Sequence, residues 1–156
     1  MRPLPEMITI ELTNEQSALA IDQARLHQAA RLILIDHGAP ESRLSIAVVD
    51  DPTIHQLNRQ FLQHDYPTDV LSFTLEQNQE VLEGEVVVSA ETAMTRSTEF
   101  GWSPEEELLL YVIHGVLHLV GFEDKESAQR QKMRDAEARY LDRLGVARHS
   151  GEQVHD

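Results

Sequence analysis

Residues 103–121 read SPEEELLLYVIHGVLHLVG, and this stretch decides the fold. It begins with a capping box, in which Ser103 precedes Pro104 at the first helical position and Glu106 follows three residues after the serine. Residues 108–120 are then almost wholly apolar, apart from two histidines. Because a helix that is apolar all round must pack on several sides, the stretch predicts a central, buried helix.

Segments with strand and helix patterns alternate on the N-terminal side of this helix. Alternating or β-branched residues predict strands at 8–12, 45–49, 70–75 and 85–89, and apolar residues at helical spacing predict helices at 17–37, 51–63 and 90–100, with a last amphipathic helix ending before Gly145. The pattern predicts an α/β (α+β) fold, with a mixed sheet of about four strands packed with about five helices and a central helix that carries the metal ligands.

Local signals add detail to this outline. Asp51 and Pro52 are expected as the N-cap and first position of the second helix, which buries Ile54, Leu57 and either Phe61 or Leu62. Residues 76–83 read as a polar loop, and Phe73 and Glu85 are close enough in sequence to pair in antiparallel strands. The last helix is expected to bury Met133, Ala136, Tyr140 and Leu144.

Length and composition indicate one soluble domain. The chain has 156 residues and no cysteine, which excludes thiolate chemistry. We expect a single domain over 1–147 and a flexible polar tail over 148–156. No apolar run is long enough to cross a bilayer, and the N-terminus lacks the apolar core of a signal peptide. A cytoplasmic location without membrane contact is expected.

A net charge of −14 argues against a generic nucleic-acid-coating surface and against DNA as a partner. The basic residues near the C-terminus alternate with acids, which favours a solvated helix over a nucleic-acid-binding stripe. They are Lys125, Arg130, Lys132, Arg134, Arg139 and Arg143, interleaved with Glu126, Asp135, Glu137 and Asp142. Recognition of RNA therefore needs a local site.

Residues 114–124 contain the pattern HxxxHxxGxxD, which is typical of a metal site. His114 and His118 lie four residues apart, on one face of a helix, and can bind one ion. Gly121 lets the backbone leave the helix through a left-handed turn, which can bring Asp124 back as a third ligand. Three protein ligands leave one coordination position for water, as in catalytic zinc sites.

Other interpretations of the same residues remain open. The two histidines can be core residues satisfied by hydrogen bonds, although two polar rings on one buried face are costly. Asp124 can act as the N-cap of the following helix, with Glu123 as the reserve ligand. Metzincin proteases have a general-base glutamate directly after the first histidine, where this chain has Gly115, so a protease is the less favoured enzyme class.

Four blocks of sequence resemble the YbeY family of bacterial rRNA-maturation endoribonucleases. They are Leu57-Asn58-Arg59, the PTDVLSF block within residues 65–73, Gly84-Glu85-Val86-Val87-Val88, and HGVLHLVG at residues 114–121. The resemblance implies a zinc-dependent endoribonuclease that prefers single strands and acts in 16S rRNA 3′-end maturation and ribosome quality control. It also implies ribosomal RNA as a partner, together with a small-subunit ribosomal protein.

Two departures from that family are visible. Asp124 stands where the family has a third histidine ligand, and Leu62 stands where it has a catalytic arginine. Arg59, three residues earlier on the helix, is our candidate for the missing cation. The predicted catalytic residues are therefore Arg59, His114 and His118, and the predicted ligands of one Zn²⁺ or another divalent ion are His114, His118 and Asp124. The rival hypothesis is a ribosome-assembly module with a structural metal.

Overall fold

The computed structural model describes residues 7–62 and 68–146 of the chain. In chain order the elements are β1 (Met7–Asn14), α1 (Gln23–His37), β2 (Glu41–Val49), α2 (Asp51–Leu62), β3 (Val70–Gln77), β4 (Val81–Ser89), α3 (Ala90–Phe100), α4 (Pro104–Leu119) and α5 (Ser127–Arg143). The predicted α+β class, with a four-stranded mixed sheet and five helices, is confirmed over these ranges. The expected tail at 148–156 lies outside the described residues.

The sheet has the strand order β1-β2-β4-β3. β1 and β4 each run parallel to β2, whereas β3 runs antiparallel to β4, and Phe73 faces Glu85 as expected from the sequence. β3 therefore forms one edge of the sheet. This edge becomes important because the predicted metal ligands lie beside it.

Helix α4 is the centre of the molecule. It contacts α1, α3, α5 and the strands β3 and β4, and its residues from Glu107 to Leu117 are all buried. Its capping box is confirmed, since Ser103 Oγ accepts from the Glu106 N–H and a Glu106 carboxylate oxygen accepts from the Ser103 N–H, each at 3.1 Å. Despite this apolar character, none of the helices in the two described ranges has the length and hydropathy to cross a bilayer.

Helix α2 covers the opposite face of the sheet. Ile54 packs there with Leu71 and Val87, whose side chains point away from α4 because successive strand residues alternate between faces. Phe61 and Leu62, at the end of α2, are 58% and 41% exposed. The expectation that one of them is buried was wrong, because Phe61 packs edge-on against Phe73 on the edge strand β3 and Leu62 lines a groove open to solvent.

Two predicted helix starts differ from the structure. α1 begins at Gln23 rather than at residue 17, because Asp22 caps it by accepting a hydrogen bond from the Arg25 N–H at 3.2 Å. Asp51 is already helical, and the cap is Asp50, whose carboxylate accepts from the Thr53 N–H at 2.9 Å. In both cases the side chain that satisfies the first free N–H groups decides the start.

The predicted polar loop at 76–83 is wrong, because most of it belongs to strands. β3 continues to Gln77 and β4 begins at Val81, and the Asn78 side chain closes the short turn by accepting from the N–H groups of Glu80 and Val81. Arg43 on β2 contacts Glu83 at 3.2 Å. This cross-strand ion pair stabilises Glu83 within β4, although its acidic side chain is typical of a loop. β2 also begins earlier than expected, at Glu41.

Helix α5 is fixed against α1 near its C-terminal end. The Tyr140 hydroxyl and the Arg143 guanidinium both donate to one Asp36 carboxylate oxygen at 2.7 Å. The hydrogen bond from Tyr140, followed by the hydrogen bond and positive charge of Arg143, lowers the pKa of Asp36 below its usual range. Met133, Ala136 and Tyr140 are buried as predicted, whereas Leu144 is only partly buried. α5 is therefore a rigid support behind α4.

Candidate metal centre

The chain reverses direction directly after α4. The helix ends at Leu119, and Gly121 has φ of +109°, a conformation that a side chain would strain. The Gly121 N–H donates to the His118 carbonyl at 3.1 Å, and the Phe122 N–H donates to the Leu117 carbonyl at 3.0 Å. This turn brings the chain back over the last helical turn, as the sequence predicted.

The reversal places Asp124 beside both histidines. His114 Nε2 lies 3.1 Å from His118 Nε2, and Asp124 Oδ2 lies 3.4 Å from His114 Nε2 and 3.3 Å from His118 Nε2. Ligands bound about 2.0–2.1 Å from a tetrahedral ion lie about 3.4 Å from one another. The three atoms thus have the spacing of one face of a tetrahedral metal site. We call this group, His114, His118 and Asp124, the ligand triangle.

The alternative capping role for Asp124 was wrong. α5 begins at Ser127, and the exposed N–H groups of Lys125 and Glu126 donate to the Gln129 side-chain carbonyl at 3.1 and 3.0 Å. Asp124 lies before this cap and faces the histidines instead. Glu123, the reserve ligand, is outside the ligand triangle and lines a neighbouring groove. Among the described residues, Asp124 is therefore the carboxylate that fits a metal.

His114 has a second buried contact that the sequence did not indicate. Its Nδ1 lies 2.6 Å from Glu137 Oε2 on α5, and the side chains of His114 and Glu137 are only 3% and 2% exposed. Glu137 belongs to the run of alternating charges that reads as a solvated helix, so its type and spacing gave no signal. The three-dimensional packing of α5 on α4 is what turns it inward.

Gly115, directly after the first histidine, lies against the sheet. A Cβ atom here would be 2.6 Å from Val86 Cγ1 and 3.0 Å from Val70 Cγ2. The Ser72 hydroxyl donates to the Gly115 carbonyl at 2.9 Å across the same interface. There is no room for the glutamate that a metzincin protease has at this position, so the structure argues against that alternative.

A groove of about 290 Å³ lies beside the ligand triangle. One wall is the end of α2, the floor is the edge strand β3, and the other wall is the end of α4 with the turn that follows. The lining residues are Asn58, Leu62, Val70, Leu71, Ser72, Thr74, His118, Leu119 and Glu123. His118 thus belongs both to the ligand triangle and to the wall of a groove open to solvent.

Of the two α2 positions considered for a catalytic cation, Leu62 lines the groove and Arg59 does not. Leu62 and Asn58, one turn apart, line the groove, and Asn58 is another lining residue that sequence reasoning did not select. Arg59 is exposed and lies about 100° further round the helix than Asn58. No lysine or arginine is among the described residues that line the groove. Arg59 is therefore near the groove in sequence but not in its wall.

The fold and this site define the class of protein: a small α+β domain with a candidate His-His-Asp metal centre at the end of its central helix. A family model described as "Endoribonuclease YbeY" matches residues 11–145. The chain therefore belongs to the endoribonuclease YbeY family, as its sequence blocks indicated.

Relatives agree with this assignment. A protein of Rhodopirellula baltica named "Endoribonuclease YbeY" is 44% identical over 80% of this chain, which spans 65% of that relative's length. A protein of the same name from Salinibacter ruber is 38% identical, with 88% of this chain and 91% of the relative covered. A solution structure from Thermotoga maritima has a TM-score of 0.58 and 26% identity, and the match covers 94% of this chain and 100% of that one.

Proposed function

We propose that the protein is a metal-dependent endoribonuclease that cleaves single-stranded RNA in the cytoplasm, in 16S rRNA 3′-end maturation and ribosome quality control. The observation that carries the proposal is the ligand triangle, whose edges of 3.1, 3.3 and 3.4 Å match a metal site beside an open groove. The names of the relatives supply the substrate class.

His114, His118 and Asp124 would hold the ion, and zinc fits two imidazoles and one carboxylate. A bound ion would supply an acidified water and charge stabilisation at the scissile phosphate. With Asp124 in place of a third imidazole, the site carries about one unit less positive charge, so harder ions such as manganese compete better. Glu123 lines the groove outside the triangle, and we propose it as the group that accepts a proton there.

The floor of the groove offers backbone groups to a substrate strand. The Asp69 carbonyl accepts from the Ser89 N–H at 3.1 Å, and hydrogen-bonded pairs alternate along antiparallel strands. The peptide groups of Val70, Ser72 and Thr74 therefore point toward the free edge of β3, with a repeat of about 6.8 Å. The N–H groups among them can donate hydrogen bonds to the phosphate oxygens of an extended nucleotide strand.

An exposed aromatic ring lies at the end of α2. Phe61 is 58% exposed, and its ring packs edge-on against Phe73 of β3 at a centroid distance of 5.9 Å. An aromatic face held in this way can stack on an unpaired base, which favours single-stranded RNA over a duplex. Because the net charge of −14 repels polyanions, a small-subunit ribosomal protein that brings the RNA close fits this proposal.

Removal of metal is expected to stop cleavage. Protein purified without chelator should contain about one divalent ion per chain, and it should cut a labelled single-stranded RNA in preference to the matching duplex. Dialysis against a chelator should abolish cleavage, and zinc or manganese should restore it. Cleavage that survives complete metal removal would contradict the proposal, and stoichiometric metal without any RNA cleavage would favour the assembly-module alternative.

The second prediction concerns Arg59, the candidate for the catalytic cation that the family has at the position of Leu62. We propose that the long side chain of Arg59, although it starts outside the groove wall, extends to the scissile phosphate. Arg59→Ala should then lower cleavage about 10²-fold, whereas Arg31→Ala on the exposed surface of α1 should not. Leu62→Arg places a guanidinium at the groove wall and should raise cleavage about tenfold. Steady-state rates on one RNA measure both. A fully active Arg59→Ala protein would exclude Arg59 from catalysis.

A further inference from the structure

The contact between Glu137 and His114 sets the direction in which His114 presents its free nitrogen. We propose that Glu137 is a positioning residue: it holds the proton of His114 on Nδ1 and so keeps Nε2 unprotonated toward Asp124 and His118. The inference rests on the proposed metal site and names the residue on α5 that completes it.

The chemistry of the pair follows from its geometry. The 2.6 Å separation of Nδ1 from Oε2 is that of a charge-assisted hydrogen bond, in which the carboxylate accepts and Nδ1 donates. A neutral imidazole has one N–H and one lone pair, so a proton on Nδ1 leaves the lone pair on Nε2. Nε2 is the atom that lies 3.1 Å from His118 and 3.4 Å from Asp124.

The support for Glu137 is rigid. Glu137 is 1% exposed, and its neighbours Met133, Ala136 and Tyr140 are buried on the same helix. The hydroxyl of Tyr140 is fixed to Asp36 on α1. The carboxylate therefore has no access to water. The imidazole of His114 cannot rotate about its Cβ–Cγ bond without breaking a buried charged contact, which costs several kcal/mol.

A purely structural role for Glu137 would require nothing of the His114 nitrogen that faces away from it. In the structure the nitrogen remote from Glu137 meets two further electron-pair donors, His118 Nε2 and Asp124 Oδ2. Carboxylates that bind the far nitrogen of a metal-ligating histidine fix its tautomer and make it a better ligand.

The test measures zinc affinity by competition with a chromophoric chelator, independently of RNA cleavage. Glu137→Gln can still accept from Nδ1 but lacks the charge, and Glu137→Leu removes the acceptor. Affinity should fall about 10-fold in the first and about 100-fold in the second. Glu99→Gln makes the same change at an exposed position on α3, away from the ligand triangle, and should leave affinity unchanged.

Nitrogen-15 spectra of the imidazoles in zinc-free wild-type protein give a second readout that needs no variant. Above neutral pH, His114 should carry its proton on Nδ1. Equal zinc affinity in Glu137→Gln, Glu137→Leu and wild type would overturn the inference, as would a proton on Nε2. If wild-type protein binds neither zinc nor manganese, the proposed function fails, and the tautomer alone then decides the role of Glu137.

Discussion

His118→Ala is expected to lower metal-dependent RNA cleavage by about 10³-fold or more, because the protein loses one of three ligands at the wall of the groove. The His118 side chain is 18% exposed, so its truncation at the edge of the core leaves the fold intact. Cleavage rates, zinc affinity and thermal unfolding should be measured together. Loss of cleavage and zinc binding with an unchanged Tm is the expected combination.

His27→Ala is the matched control for this variant. His27 is a partly exposed histidine on α1 and lies outside the ligand triangle, so its replacement should change neither cleavage nor zinc binding. A His118→Ala protein that cuts RNA as fast as the His27→Ala protein would exclude the ligand triangle as the catalytic centre.

His114→Ala is a less direct test than His118→Ala. It would leave the Glu137 carboxylate buried without the imidazole that it contacts at 2.6 Å. A buried charge that loses such a partner typically costs about 3–5 kcal/mol of stability. Loss of activity in this variant would therefore combine loss of metal with loss of fold, whereas the more exposed histidine separates the two.

The sequence predicted helix ends correctly where the residues that fix the end lie within a few positions of it. The capping box of Ser103 and Glu106 places the start of α4 correctly, because both hydrogen bonds join residues three apart. The start of α1 was placed too early, since helical spacing in the sequence continues before Asp22. The antiparallel pairing of β3 and β4 was predicted, but the residues that extend both strands into 76–83 were taken as loop, because Glu83 is stabilised by Arg43, which lies 40 positions away.

The same distinction applies to the site. The ligand triangle was predicted because helical spacing and one glycine turn fix the positions of His114, His118 and Asp124 locally. Glu137 was not, because its contact depends on how α5 packs on α4, which no short pattern encodes. The groove was also missed, since it joins α2, β3 and α4.

Gly115→Glu is expected to lower the free energy of unfolding by more than about 4 kcal/mol, or to prevent folding, because it buries a carboxylate between α4 and the sheet. Gly115→Ala should cost about 1–3 kcal/mol, since even a Cβ would lie 2.6 Å from Val86 Cγ1. Denaturant unfolding measures both changes. Gly145→Ala is the control, because it adds a Cβ where only backbone strain, and no steric contact, is expected.

Gly145 has φ of +79° and nothing within 4 Å of an added Cβ, so its replacement should cost only about 1–2 kcal/mol of backbone strain. Val86 is fully buried, so near Gly115 the backbone itself must move to relieve the contact. Gly115→Glu recreates the HExxH pattern of zinc proteases. A folded Gly115→Glu protein that cuts peptides would contradict the packing of α4 on β3 and β4. Unfolding would instead show that the close packing of Gly115 against the sheet excludes a general-base glutamate at this position.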